Sequence, residues 1–340
     1  MKKLALCALL LAGSARAAVL VTGAGATFPF PLYSKWFSDY SKLFPDIHFN
    51  YQSIGSGGGI QQFANGTVDF GASDAPMTAE EIAKAPDVVH IPTVLGAVVV
   101  TYNAPFNGLK LTPDLLAGIY LGKITKWTDP ALAKANPGIK FPDLPITVVR
   151  RSDGSGTTYV FTDYLAKVSP EWKEKVGTAK SVSWPAGLGG KGNEGVTGLI
   201  KQTPGAIGYV ELAYANQNKM PLTALQNKDG SFVTPSIAST SAAAAGVQLP
   251  ADYRVSLTNA AGSDAYPIAS FTYLLVHKDA KDPAKGDAIV KFLWWAIHEG
   301  QSTAAPLDYA PLPKSVVSMV EKTVQGLHVQ GKPVSLASSK

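Results

Sequence analysis

The stretch Arg150–Thr158 combines residue types that could hold a small oxyanion. Two arginines and Asp153 precede a glycine-bearing turn, and hydroxyls follow at Ser155, Thr157 and Thr158. The alternating residues before the stretch predict a strand, and the apolar spacing after it predicts a helix. A helix start offers unpaired N–H groups and a partial positive charge, both of which favour an anion. An ordinary strand–turn–helix with a capping serine and a surface ion pair fits these nine residues equally well.

Two more strand–glycine turn–helix patterns lie near the N-terminus. The first runs from a strand at Val19–Thr22 through Gly23–Phe28, which carries Thr27, into a helix with Pro31 in its first turn. It is not a dinucleotide fingerprint, because Phe28 occupies the place of the third glycine.

The second has a strand at Ile47–Tyr51, a predicted turn at Gly55–Gly59 that carries Ser56, and a short helix from Ile60. A flexible linker is the alternative for this glycine run, but linkers are seldom placed directly between a strand and a helix.

An acidic residue, Asp74, ends the next predicted strand, Val68–Asp74. Taken alone, Asp74 is better interpreted as the cap of a helix predicted at Thr78–Ala83. Further along the chain, strands and helices alternate, which predicts an α/β architecture. The clearest of these elements are a doubly buried strand at Pro92–Tyr102, strands at Ala206–Val210 and Phe271–His277, and an amphipathic helix at Asp287–Gly300.

The N-terminus has the pattern of a secretory signal peptide. A basic start, a short apolar run and an Ala-x-Ala site predict cleavage after Ala17, so that residues 1–17 are removed. The single cysteine, Cys7, lies inside this segment, and the small residue that a lipid anchor needs before it is absent. Removal of three basic residues lowers the net charge from +5 to +2. We therefore expect a soluble, exported protein without thiol chemistry, and a mature chain of about 320 residues predicts two domains.

Several kinds of chemistry are not indicated by the sequence. Neither Ser56 nor Ser155 has the Gly-x-Ser-x-Gly setting of a hydrolase. The five histidines are scattered without metal-ligand spacing, and the carboxylates do not pair. The glycine-rich segment Trp184–Gly198 is not a nucleotide-binding loop, because Lys191 is followed by glycine. No basic stripe or aromatic platform suggests nucleic acid. We expect no enzyme activity, no metal and no cofactor.

With these turns in place, the chain closely resembles the periplasmic phosphate-binding proteins of the high-affinity ABC phosphate transporter. The matching stretches follow one another from the mature N-terminus to about two-thirds of the chain: Thr22–Pro29, Ile54–Gly59, Val68–Pro76, Ile119–Ile124, Val148–Thr157, Gly187–Asn193 and Pro204–Glu211. One departure is Gly57, where many family members carry a second serine.

The resemblance implies an α/β, two-lobed periplasmic binding protein fold (type II), with a mixed sheet flanked by helices in each lobe and the ligand in the cleft. Residues 18–103 plus 271–340 would form one lobe and residues 104–270 the other, with two strand-like crossings as the hinge. The phosphate ligands carried over by motif are Thr27 and Phe28 (backbone N–H), Ser56, Asp74, Arg151, Ser155, Gly156 and Thr157. The implied role is a periplasmic, monomeric receptor that hands inorganic phosphate to an inner-membrane ABC permease.

The residue chemistry agrees with this expectation. An ionised carboxylate only accepts hydrogen bonds, so Asp74 would accept the O–H of phosphate and repel fully ionised sulfate. Arg151 would supply a fork of donors, held in place by Asp153 or by Asp74. Two alternatives stay open: an exported phosphatase or phosphoryl-transfer enzyme, and a phosphate sensor or surface protein on the same fold.

Overall fold

The structure is a computed structural model that describes residues 18–336. The predicted signal peptide, residues 1–17, lies outside the described residues. Among the helices that are described, none is both long enough and apolar enough to cross a membrane.

Helices and strands alternate through most of the described chain. The strands are β1 Val19–Gly25, β2 Ile47–Ser53, β3 Phe70–Ser73, β4 Val88–Tyr102, β5 Lys110–Leu111, β6 Thr147–Arg151, β7 Leu188–Gly190, β8 Ala206–Glu211, β9 Ala224–Gln226, β10 Phe232–Val233, β11 Ala269–His277, β12 Asp279–Ala280, β13 His328–Val329 and β14 Lys332–Pro333. The α-helices are α1 Phe30–Leu43, α2 Ser56–Ala64, α3 Ala79–Lys84, α4 Pro113–Tyr120, α5 Pro130–Ala135, α6 Gly156–Val168, α7 Pro170–Lys175, α8 Gly192–Gln202, α9 Leu212–Gln217, α10 Ile237–Ala244, α11 Pro283–Ile297 and α12 Lys314–Gln325. Short 3₁₀ helices cover Glu299–Thr303 and Ala305–Leu307.

The main sheet is mixed, with strand order β2-β1-β3-β11-β4-β8-β6-β7. Strand β1 is parallel to β2 and β3, and β6 is parallel to β7 and β8. Between these two parallel groups lie β11 and β4, which pair antiparallel with each other and with their outer neighbours. The sheet therefore consists of two parallel groups joined through two antiparallel strands.

Strand β4 belongs to both parts of this sheet. Its residues up to Ala97 pair with β11, and its residues from Val98 pair with β8. Almost the whole strand is buried, as the valine-rich sequence predicts for a strand covered on both faces. A single continuous strand thus takes part in the pairing that joins the two parallel groups of strands.

Amphipathic helices cover the sheet and bury their apolar faces against it. In α11 the apolar face is buried: Ile289, Phe292, Leu293, Ala296 and Ile297. The ring of Phe292 lies 5.2 Å from that of Phe37 in α1 and 4.6 Å from that of Phe49 in β2. Aromatic contacts of this kind add to the stability gained from burial and fix how the helices lie on the sheet.

The topology brings several helix starts to one region of the molecule. The carboxyl ends of β1, β2, β6 and β7 lead through short connections into α1, α2, α6 and α8. In α/β sheets the crevice outside the carboxyl ends of parallel strands is the usual place for a ligand.

One prediction about the glycine run was wrong. Residues Gly57–Gly59 are not a turn, because α2 begins at Ser56. Gly59 packs so closely on β1 that a Cβ there would lie 2.4 Å from the Cα of Gly25. The glycines therefore allow the helix to approach the sheet, and only Gly55, with φ of +88°, needs a special backbone conformation.

The interpretation of Asp74 as a helix cap was also wrong. Helix α3 is capped by Thr78, whose hydroxyl accepts a hydrogen bond from the N–H of Glu81 (3.2 Å), while the Glu81 carboxylate accepts from the N–H of Thr78 (2.9 Å). This reciprocal pair is a capping box. Asp74 is thus free for another role.

Candidate oxyanion-binding site

The residues predicted to bind an anion lie together around the strand ends, and all of them are buried. They are Thr27, Phe28, Ser56, Asp74, Arg151, Ser155, Gly156 and Thr157. Gly156, at the start of α6, lies against Ser56 and Asp74, and the guanidinium of Arg151 donates to Thr157 (3.3 Å). Their assignment as ligand-binding residues stays a prediction.

The carboxyl group of Asp74 is held inside the protein, with 1% of the residue exposed. Its Oδ1 accepts a hydrogen bond from the hydroxyl of Thr272 (2.9 Å), and its Oδ2 lies 3.5 Å from the hydroxyl of Ser56. Burial raises the pKa of Asp74 to about 7, while the Thr272 hydrogen bond and the charge of Arg151 oppose that rise. The group therefore gains and loses its proton near neutral pH.

This pKa predicts how the stability of the ligand-free protein depends on pH. The folded state keeps the Asp74 proton from about pH 4 to pH 7, where the unfolded state has lost it, so the free energy of unfolding falls as the pH rises through this window. One pH unit of this difference is worth about 1.4 kcal/mol. Urea unfolding without phosphate measures the free energy of unfolding of Asp74→Asn relative to that of the parent. This difference should shift by about 3 kcal/mol in favour of the variant as the pH rises from 5 to 8. Parallel pH profiles for the two proteins would contradict the raised pKa.

Arg151 is held by Asp153, one of the two partners left open by the sequence. The Nε of Arg151 donates to Oδ1 of Asp153 (2.7 Å), and Nη2 donates to Oδ2. Although burial works in the opposite direction, the hydrogen bonds and charge of Arg151 keep the pKa of Asp153 below its usual value. Such a two-point pair fixes the guanidinium plane and leaves its Nη1 side directed at Thr157.

Three tyrosine hydroxyls fix the loop between β1 and α1. Tyr51 donates to the carbonyl oxygen of Ala26 (2.7 Å), Tyr214 to that of Thr27 (2.6 Å) and Tyr309 to that of Phe28 (2.6 Å). Three successive carbonyl groups are thereby occupied. Among residues 18–336, the backbone N–H groups of Thr27 and Phe28 donate to no protein acceptor, which leaves them available to a ligand.

The start of α6 supplies further donors. Ser155 is the N-cap, and its hydroxyl accepts from the N–H of Thr158 (3.0 Å), as the plain structural interpretation of this turn predicts. Within the described part of the chain, the N–H groups of Gly156 and Thr157 have no acceptor. Capping and anion binding are therefore compatible in this turn, because they use different N–H groups.

Gly57 lies in the first turn of α2, where this turn contacts the residues before α6. Its N–H donates to the carbonyl oxygen of Gly154 (2.8 Å), and a Cβ at this position would lie 3.1 Å from the Cα of Gly154. A serine here would crowd that contact. The departure from the family pattern thus accompanies a close approach between the two segments and leaves Ser56 in place.

Sequence reasoning missed several polar residues around the site. Asn193, in α8, is fully buried and contacts both Thr27 and Thr157. Thr272, which contacts Asp74, lies in a predicted strand, and a threonine inside a buried apolar run was the available signal. For Asn193 a sequence signal was also present: the helical spacing of the apolar residues Val196 and Ile200 predicts a helix that follows a glycine turn, and Asn193 lies at its start.

Within residues 18–336, no three side chains of the metal-ligating types come together as a metal site would require. The expected absence of a metal stays a prediction.

Comparisons with known proteins place the chain in a family. A family model described as a PBP superfamily domain matches residues 12–299. The phosphate-binding protein PstS of Pasteurella multocida is 49% identical over 306 residues, covering 88% of each chain. The PstS protein of Xylella fastidiosa is 48% identical over 308 residues, covering 89% of this chain and 84% of the relative. The chain belongs to the PstS family of phosphate-binding proteins.

A comparison with solved structures supports the fold. The phosphate-binding protein from Stenotrophomonas maltophilia superposes with a TM-score of 0.70 at 21% identity, covering 90% of this chain and 94% of the other. Together with the mixed sheet and its flanking helices, this similarity confirms the predicted α/β periplasmic binding protein fold of type II.

Proposed function

We propose that this protein is a receptor that captures inorganic phosphate between the starts of α1, α2 and α6. The observation that carries the proposal is the position of Asp74, a buried carboxyl that lies against Gly156 at the start of α6, where the first N–H groups have no acceptor among the described residues, together with the guanidinium of Arg151 held by Asp153. The PstS relatives, which are named as phosphate-binding proteins, support the same ligand.

The chemistry of the site favours phosphate over sulfate. Near neutral pH phosphate keeps at least one proton, whereas sulfate has none. Once ionised, above its pKa of about 7, the Asp74 carboxylate can accept a hydrogen bond from the phosphate O–H but offers sulfate only a buried negative charge. A buried polar group that one ligand satisfies and another leaves unmatched can discriminate about 10⁴-fold or more. The remaining oxygens would be bound by hydroxyls, N–H groups and Arg151, which supply a single full positive charge.

The division into two lobes is part of this proposal. Residues 18–103 with 271–340 would form the first lobe and residues 104–270 the second. Two contacts join the proposed lobes: Asn193 donates to Thr27 (2.7 Å), and Lys180 pairs with Glu81 (2.7 Å). Movement of the lobes about the β4 crossing would open and close the site around the ligand.

The proposed biological role is transport. We infer that the predicted signal peptide directs the chain to the periplasm, where the mature protein acts as a monomer and delivers phosphate to an inner-membrane ABC permease. A phosphatase would need a nucleophile with a base or a metal. Among the described residues, Ser155 is engaged as a helix cap and no histidine contacts Ser56 or Ser155. Turnover of a chromogenic phosphate ester, with or without divalent metal ions, would contradict the receptor role.

Thermal unfolding of the phosphate-stripped mature protein tests the proposed ligand. Phosphate at 100 times its dissociation constant should add about 2.7 kcal/mol of stability, because it binds only the folded state. Sulfate at the same concentration should produce no shift in the unfolding temperature. Equal shifts would keep an anion site but contradict the discrimination by Asp74, and no shift with either ion would contradict phosphate capture.

A further inference from the structure

Asn193 connects two threonine hydroxyls of the site. Its side-chain nitrogen, Nδ2, donates to Oγ1 of Thr27 (2.7 Å) and to Oγ1 of Thr157 (3.1 Å), and its backbone N–H also donates to Thr27 Oγ1 (3.1 Å). Thr27 precedes α1 and Thr157 lies in the first turn of α6. One buried amide thus contacts hydroxyls on both sides of the proposed cleft.

The orientation of this amide follows from a backbone contact. The N–H of Glu211 donates to Oδ1 of Asn193 (2.9 Å). An N–H group can only donate, so the atom facing Glu211 must be the amide oxygen, and the NH₂ group must face the threonines. The two hydrogens of that NH₂ group are then assigned, one to each hydroxyl.

Counting donors and acceptors shows what is left on each hydroxyl. A hydroxyl oxygen can accept two hydrogen bonds and donate one. Thr27 accepts two from Asn193, and Thr157 accepts one from Asn193 and one from Nη1 of Arg151 (3.3 Å). In the part of the chain that the structure describes, neither hydroxyl donates to a protein acceptor. Each threonine therefore has only its O–H hydrogen to offer.

We propose that Asn193 is a positioning residue that makes the hydroxyls of Thr27 and Thr157 donate to the bound anion. This inference rests on the phosphate-binding function proposed above. Asn193 fills both acceptor positions of Thr27 and, together with Arg151, those of Thr157. Two groups that can donate or accept thereby become donors only, and an oxyanion needs donors. If the amide were reversed, its oxygen would take both hydroxyl hydrogens away from the ligand.

The same contacts link this effect to closure of the cleft. Thr27 belongs to the first proposed lobe, whereas Asn193 and Thr157 belong to the second. Asn193 can fill the acceptor positions of the Thr27 hydroxyl only when the two lobes are in contact. Asn193 therefore contributes to phosphate affinity in the closed form.

A double-mutant cycle separates this role from a structural one. In the parent background, Asn193→Ala should weaken binding of inorganic phosphate about 10- to 100-fold, as expected for altered hydrogen bonds to a charged group. In a Thr27→Val/Thr157→Val background the same substitution should change the dissociation constant less than about threefold, because the groups it acts through are gone. Equal losses in both backgrounds, measured by calorimetry on folded protein, would overturn the proposal.

The nearly isosteric Asn193→Asp tests the same idea if the alanine variant does not fold. A carboxylate accepts both hydroxyl hydrogens and adds a negative charge, so phosphate binding should fall more than about 100-fold. Binding as tight as in the parent would overturn the role of Asn193. Titration of the parent with phosphate and with sulfate is done first and tests the proposed phosphate-binding function independently of Asn193. The double-mutant cycle is then measured with the ion that the parent binds.

Discussion

Replacing Asp74 with asparagine is expected to admit sulfate to the site while phosphate still binds. The amide keeps the size of the carboxyl and an accepting oxygen, but it carries no negative charge and can donate to a fully ionised oxyanion. Sulfate affinity should rise by up to about 10⁴-fold relative to phosphate affinity, the discrimination that one unmatched buried polar group can supply. Competition titrations of the phosphate-stripped parent and Asp74→Asn with both ions at about pH 8.5, where Asp74 of the parent is ionised, measure this ratio.

An exposed aspartate provides the control for the change in net charge. Asp46→Asn removes the same charge at an exposed position in the connection between α1 and β2, and should leave the ratio of the two affinities unchanged. If Asp74→Asn excluded sulfate as well as the parent does, hydrogen bonding between Asp74 and the protonated oxygen of phosphate would not be the cause of the discrimination. The discrimination would then have to come from other residues of the site.

Replacing Gly156 with alanine is expected to prevent the site from closing. A Cβ on Gly156 would lie 2.3 Å from the hydroxyl oxygen of Ser56 and 2.5 Å from Oδ2 of Asp74. These contacts are far shorter than van der Waals distance, so α6 would have to move away from Ser56 and Asp74. Overpacking of this kind typically costs 1–3 kcal/mol, and a loss of about 5- to more than 100-fold in phosphate affinity should follow. Calorimetric titration with phosphate measures it.

Gly198 offers a matched control in another helix. A Cβ there would meet no atom within 4 Å, and Gly198→Ala should leave phosphate affinity unchanged while raising stability by about 0.4–1 kcal/mol. Unchanged affinity in Gly156→Ala, with both variants folded, would mean that Gly156, Ser56 and Asp74 need not approach one another to bind the ligand.

The elements that position the site were largely predictable from the sequence. Alternating apolar residues marked β1, β2 and β6, and glycines with hydroxyl residues marked the turns that follow them. These are local signals, because strand period and turn chemistry depend on neighbouring residues. The start of α2 was misplaced since helix-disfavouring glycines are accepted there for close packing on Gly25, a contact between distant segments.

The supporting contacts of the site could not be predicted in this way. Tyr214 and Tyr309 reach the carbonyl groups of Thr27 and Phe28 across more than 180 sequence positions. Asn193 ends a glycine-rich stretch that matches the family pattern, but the match assigns its side chain no contact with the site. Nothing in the sequence around such residues shows which distant group they contact, because that depends on the order of strands in the sheet.

A crystal structure of the mature protein, from crystals grown with phosphate, would test most directly whether phosphate binds beside Asp74. We expect one bound phosphate with an oxygen about 2.5–2.7 Å from the carboxylate of Asp74, the range of a short O–H···O⁻ bond. Its other oxygens should contact Arg151 and the N–H groups of Phe28 and Gly156. Phosphate bound elsewhere, or bound here with Asp74 turned away from it, would contradict the account.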